Sequence, residues 1–223
     1  MSVHDLIAVL PEPRELRARC RAVALLDTIA SVPYDPSLAF VSDWRPGVDL
    51  AGMDNGSGDQ YHIVFDPAGV FLYGFDHESD ATPWRENDRA HWPGLLDGLP
   101  APLAHYAQAP EFQFDGFFDA TVCAWYETGA GGGGWQCGPV EFTDGDTDGA
   151  DWMFDVLTGA DSTQAFLEYA EDYYERAFDR EAVSAVLKGA PLDRRMVAAL
   201  SATANFDAIA TQARALGWTV LDS

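Results

Sequence analysis

The sequence predicts an α+β fold: an antiparallel sheet of four to five strands with an N-terminal helix and a C-terminal helical group. Three observations lead there. Apolar residues alternate at period two in several runs before residue 142, turn signals built from Gly, Pro, Asn and Asp separate those runs, and after residue 150 the apolar spacing changes to three and four. With 223 residues, no internal repeat and no long linker, one domain over 1–223 is expected. Its sheet-forming part is placed at about 38–142 and its helical part at about 150–217. A chain of this length buries roughly 70% of the surface it exposes when unfolded, so neither disulfide nor metal is needed for folding.

The elements follow in order. Leu6 to Leu10 is a short apolar run without the basic flank or small-residue cleavage site of a signal peptide. Pro11 to Ser31 reads as the first helix: Pro11 and Pro13 suit its start, and Leu16, Cys20, Val23 and Leu26 recur at helical spacing. Pro33 and Pro36 end it. Leu38 to Trp44 reads as a strand and 45–58 as loop, on the turn signals Pro46–Gly47 and Asn55–Gly56. Gln60 to Asp76 is the best-specified unit, a hairpin turning at Asp66–Pro67–Ala68–Gly69 with Pro second and Gly fourth, as a type I turn prefers. A second hairpin is expected over Phe118 to Phe142, and short helices near Gly94–Asp97 and Leu103–Gln108. Helices then start at Trp152, at Ser162 as cap, and behind Asp179, Asp193 and Asn205.

Composition narrows the function. Thirteen Lys and Arg stand against 36 Asp and Glu, a formal charge of −23. Hydrophobic residues at 48% and aromatics at 13% exclude a disordered acidic tail, which lacks the surface to offset ordering entropy. The shortage of clustered cations excludes nucleic acid as an expected partner. No run approaches the ~18 apolar residues of a membrane helix, and three cysteines form neither an even framework nor a zinc spacing, so the cytoplasm is the expected compartment. If the second hairpin turns about residue 130, Cys123 and Cys137 face each other, where two thiols rather than a bridge are expected in a reducing compartment.

Four segments carry candidate chemistry. Gly129–Ala130–Gly131–Gly132–Gly133–Gly134 has the letters of a dinucleotide loop, but strand-like Trp135 and Cys137 follow it, so a hairpin tip is expected. Asp144, Asp146, Asp148 and Asp155 match D-x-D-x-D-G-x₅-D, in which the glycine lets the acids converge on one calcium ion. The shorter Asp at position twelve and the strand-like entry allow a solvated acidic turn as the other reading, and without calcium no cofactor is expected. Asp76, His77 and Glu78 stand together after the first hairpin, with Trp84, His91 and Trp92 downstream; acids, imidazoles and aromatics of this kind suit binding or proton transfer. His62, in mid-strand, reads as a hydrogen-bonded structural histidine. No nucleophile-elbow or zinc-protease motif is present.

The segments Ser57–Gly58–Asp59, Gly74–Phe75–Asp76–His77–Glu78–Ser79, Trp92–Pro93–Gly94 and Tyr169–Ala170–Glu171–Asp172–Tyr173–Tyr174 resemble an uncharacterised bacterial protein family over roughly residues 57 to 200. That family has no known activity, so the resemblance implies no catalytic residue. The sheet-plus-helices layout and the acidity also resemble small bacterial toxin-immunity proteins, an analogy at the level of fold. The leading expectation is therefore a non-catalytic acidic binding protein, an immunity-type inhibitor of a basic protein partner, using Asp76, His77, Glu78, Trp84, His91 and Trp92. The alternative is a metal-dependent hydrolase using Asp76, His77 and Glu78 or the Asp144–Asp155 loop.

Overall fold

A computed structural model describes residues 2–85, 88–128, 133–143 and 145–221. Helices α1 (Val3–Val9) and α2 (Pro13–Ala30) open the chain. Six strands follow: β1 (Leu38–Arg45), β2 (Val48–Asp54), β3 (Gln60–Asp66), β4 (Gly69–Phe75), β5 (Val122–Glu127) and β6 (Trp135–Cys137). Helices α3 (Asp155–Thr158), α4 (Ser162–Tyr174), α5 (Arg180–Leu187), α6 (Arg194–Leu200) and α7 (Phe206–Ala215) complete it. The class is α+β with helices at both ends. The sheet is an antiparallel meander in chain order and has six strands, not four or five.

The additional strand is β2, inside the segment expected as loop. Pro46–Gly47 and Asn55–Gly56 do turn the chain, but the residues between them pair with both neighbours, Ala51 opposite Phe40 on one side and Ile63 on the other. Asp49 and Gly52 are poor strand formers and disguise the run. Tertiary contacts account for both. Asp49 accepts a hydrogen bond from Arg17 Nε of α2 at 2.5 Å, and a Cβ on Gly52 would stand 3.2 Å from the His62 ring across the ladder. Helix α1 also escapes a periodicity reading, since its seven residues span only two turns. Its first amide, on Val3, donates to the Asp148 carboxylate at 2.7 Å.

The second hairpin is shorter than expected. Strand β6 ends at Cys137, so Val140 and Phe142 lie outside it. Cys137 faces Ala124, while Cys123 faces Tyr73 on β4, so the proposed opposition of Cys123 and Cys137 fails by one residue. A slip of one reverses the side-chain face. All three cysteines are free. Of the expected tip, Gly129 to Gly134, residues 129–132 lie outside the described residues; β5 precedes the run and β6 follows it.

The late helices start nearly where capping chemistry places them. Asp179, Asp193 and Asn205 accept from the amides of Ala182, Met196 and Ala208. The cap of α4 is Asp161 rather than Ser162, its carboxylate taking the amides of Thr163 and Gln164. The expected helix from Trp152 shortens to α3, and the short helices near 94–97 and 103–108 are turns with one 3₁₀ turn at Tyr106–Gln108.

Every residue of β4 is buried, because both sheet faces are covered. The segment between β4 and β5 covers one face with aromatic rings: Tyr73 meets Phe118 at 4.6 Å and Phe112 at 5.3 Å, and Phe71 stacks on Tyr106 at 6.3 Å. On the other side Tyr61 packs on Phe154 at 5.0 Å, and α2 lies along β1. His62 is half-buried in the aromatic layer with its Nδ1 inaccessible, yet that nitrogen has no hydrogen-bond partner among the described residues, contrary to the expectation of a satisfied histidine. Sheet and helices share one continuous cluster of buried side chains. Among the described residues no helix is long and apolar enough to cross a membrane.

Candidate functional site: an acidic aromatic face

The β2–β3 turn, the start of the segment after β4, and residues 114–119 enclose a cleft of about 530 Å³ lined by Asp54, Asp59, His77, Trp84, Phe114 and Asp119. The turn is shaped by its own side chains: Asn55 Oδ1 accepts the Ser57 amide at 2.8 Å and Asp54 Oδ1 the Gly56 amide at 2.8 Å. This delivers Asp59 to His77. The Asp59 carboxylate accepts both the His77 amide at 3.0 Å and ring Nδ1 at 2.6 Å, while Asn55 donates to its second oxygen at 2.7 Å. Burial works to raise the Asp59 carboxyl, but the hydrogen bonds from the His77 amide and ring and from Asn55 outweigh it and hold the group below the ordinary carboxylate range. The same hydrogen bond to Asp59 raises the His77 imidazole above its usual value. With Nδ1 turned to Asp59, Nε2 faces outward, 3.8 Å from Glu78 Oε1. No Ser, Thr or Cys side chain bonds to it among the described residues, so no nucleophilic triad is assembled.

The six residues singled out for binding divide. His77 and Trp84 line the cleft. Asp76 sits behind it, buried, its two oxygens taken by the Glu78 amide at 2.9 Å and Trp152 Nε1 at 3.0 Å. Glu78 extends into solvent at the rim, with 85% of its side chain exposed. His91 and Trp92 lie elsewhere. His91 Nε2 bonds the Phe118 carbonyl at 2.6 Å and its ring packs on Phe117, while Trp92 donates to the Glu141 carbonyl at 3.0 Å and packs on Phe142. Both do structural work that adjacency in sequence did not indicate.

The acidic loop is not gathered about one point. Asp144 lies outside the described residues. Asp146 turns to Thr143, Asp148 is buried and holds the amides of Val3 and Ala150, and Asp155 opens α3 against a different cavity. The one group of three or more ligand-type residues within 4.8 Å of one another, among the described residues, is Asp59, Asp76 and His77.

A larger cavity of about 910 Å³ adjoins the cleft, sharing Ser57. Leu38, Met53, Tyr61 and Val156 form its apolar part, and Asp155, Glu168 and Asp172 stand with Trp152, Tyr169 and Tyr173 around it. Burial, reinforced by Asp151 and Glu168, raises the Asp155 carboxyl. Among the described residues neither the cavity nor the cleft is lined by Lys or Arg. The cleft does receive one guanidinium at its edge. Arg89 forks onto Asp119, with Nε at 3.0 Å from Oδ1, and lies 4.0 Å over the Trp84 ring and 5.6 Å over Phe114. Sequence reasoning missed Asp59, Phe114 and the α4 acids. The turn-forming Asn55 to Asp59 run was the available signal for the first. No protein-family model, no curated protein and no solved structure matches this chain, so the site stands on its own geometry.

Proposed function

We propose that this chain is a non-catalytic binding protein that engages a basic protein partner, as an immunity-type inhibitor does, through the face formed by the cleft and the adjoining cavity. The observation that carries the reading is the pairing of exposed aromatics with carboxylates and, among the described residues, no lining Lys or Arg. Trp84 is 51% exposed and Phe114 60%, where large aromatics are normally covered. Aromatic anchors supply most of the energy at protein interfaces, while charge supplies approach rate and selectivity. The seat of Arg89 between Trp84 and Asp119 supports the same preference, since cation–π and forked ion-pair contacts already hold one guanidinium at the edge of this face. The test is capture from the source cell's extract with wild type and with the double variant W84A/F114A. A basic protein retained at low salt, released near ~0.3 M salt and lost by the variant is expected. Equal capture by the variant, or no salt-sensitive partner, would reject the reading.

One observation favours a second reading, metal-dependent hydrolysis: the convergence of Asp59, Asp76 and His77 within 4.8 Å. An aspartate–histidine set of this kind suits a divalent cation of the zinc or manganese type. Elemental analysis of the purified protein, with D59N as control, decides it. Near-stoichiometric metal lost in the variant is expected on this reading, and metal-free wild type after dialysis against zinc would sink it.

A further inference from the structure

The chain carries 13 cationic side chains against 36 acids, and three of the 13 line one cleft. Arg14, Arg17 and Arg21 project from successive turns of one face of α2, spaced three and four apart. They meet the β1–β2 and β3–β4 turns across a cleft of about 540 Å³ that also includes Phe40, Gly47, Asp49, Asp66, Gly69 and Thr128. Its lining charge is three arginines less two aspartates, 3 − 2 = +1. By contrast the acidic cleft and the large cavity each carry, among the described residues, three carboxylates and no Lys or Arg.

This arrangement works against the helix that bears it. Cations in the first turns of a helix oppose its dipole, and like charges three or four apart repel. Only Arg17 is compensated, by its ion pair with Asp49. Arg14 makes no hydrogen bond or ion pair among the described residues. The Nε of Arg21 is buried without a hydrogen-bond partner, its guanidinium lying 5.6 Å over the Trp218 ring. The two carboxylates present are already engaged: Asp49 takes Arg17 and the Asp43 amide, and Asp66 takes Tyr106 Oη at 2.6 Å and the Ala68 amide at 2.7 Å. Arg14 therefore stands on the cleft with all its donors free, and Arg17 with those that Asp49 does not take, while the Arg21 guanidinium turns to Trp218. Local rules broken without a structural return mark functional positions.

We propose that this cleft binds the phosphate group of a small phosphate monoester, a site separate from the acidic aromatic face. A carboxylate has two oxygens and one guanidinium fork satisfies it, whereas two guanidiniums arriving from adjacent helical turns suit the three free oxygens of a tetrahedral phosphate monoester. The N-terminal dipole of α2 adds to the attraction. The volume accommodates a small organic group beyond the phosphate.

Calorimetric titration of the full chain with phenyl phosphate at low ionic strength tests it, with acetate and chloride as competing anions. Saturable binding is expected, tightening as pH rises through the second phosphate ionisation near ~6. R14Q, at an exposed position, should weaken binding about tenfold, and R17K, which keeps charge and stem but loses the fork, should weaken it by a similar factor. Capture of a basic partner by the acidic aromatic face should be unchanged in R14Q, which separates this proposal from the function proposed above. No saturation by about 10 mM phenyl phosphate, equal competition by acetate, or unaltered affinity in R14Q would each overturn it.

Discussion

His62 shows how far a single half-buried group can depart from what its residue type suggests. It packs between Tyr73 at 5.3 Å and Phe112 at 5.2 Å, and burial lowers its pKa from the usual 6.5 to about 4. The imidazole is therefore neutral at physiological pH, and Nδ1 remains without a partner. An unmet polar atom in an apolar layer costs free energy that an aliphatic side chain of similar size does not. The H62L variant should be more stable than wild type by about 1 kcal/mol near neutral pH, read as a higher urea midpoint with unchanged slope. The pH dependence follows from the depressed pKa. The unfolded chain takes up the proton first, so the His62 contribution to stability is lost as pH falls from 6.5 toward about 4. H62L has no such group, so its advantage should grow on acidification. A variant less stable than wild type at both ends of that range would show that the ring's stacking outweighs the unmet nitrogen.

Among the elements, the acidic turn before α3 has a structural task that its motif does not express. Gly149 adopts φ +85, and a Cβ there would stand 2.6 Å from Asp76 Cβ and 3.0 Å from Met153 Cε. The glycine thus lets the turn close on Asp76, whose carboxylate holds Trp152 at the wall of the cavity. Gly145 is also left-handed, at φ +99, but nothing lies within 4 Å of its would-be Cβ. G149A should cost about 3 kcal/mol, from strain and steric overlap together. G145A should cost only about 1 kcal/mol, from strain alone. Thermal or urea denaturation of both variants checks this, and equal losses would mean that backbone strain explains both positions. The contrast also shows what a single sequence exposes. The β3–β4 hairpin and the caps Asp179, Asp193 and Asn205 were legible because turn and capping chemistry act over two to four residues. Strand β2 was hidden because Asp49 and Gly52 are chosen for partners on α2 and β3, not for strand propensity. At the site, His77 and Trp84 were legible as residue types, but Asp59 and Phe114 reach them through tertiary closure. His91 and Trp92 were drawn in by proximity along the chain, which carries no information on direction once the chain turns.

At the scale of the molecule, the helical layer is tied to the sheet through one buried acid. Asp27 of α2 is fully buried and accepts from the Leu38 amide at 2.8 Å, Tyr174 Oη at 2.7 Å, Tyr169 Oη at 3.3 Å and Ser37 Oγ at 3.5 Å. Four donors from β1, the residue before it and α4 thus converge on one carboxylate, and Ser37 and Tyr169 reach from this knot to the wall of the 910 Å³ cavity. Burial raises the Asp27 carboxyl, with the hydrogen bonds opposing it. Asn in its place would present an amide nitrogen to donors, leaving at least one of them unmet in a dry site. D27N should therefore destabilise by about 3 kcal/mol. It should also loosen the acidic face, since α4 carries Glu168, Tyr169, Asp172 and Tyr173 to the cavity. The sign of the pH effect is opposite to that of His62. A carboxyl whose folded pKa is raised binds its proton more tightly in the native state, so its contribution is greatest at low pH and is lost as pH rises through the folded value. The stability gap between wild type and D27N should widen as pH falls from neutrality toward the ordinary carboxyl value of 3.8, measured by urea denaturation at matched ionic strength. A gap that narrows over that interval would mean that the four hydrogen bonds, rather than burial, set the ionisation of Asp27, and that the knot holds best as an anion.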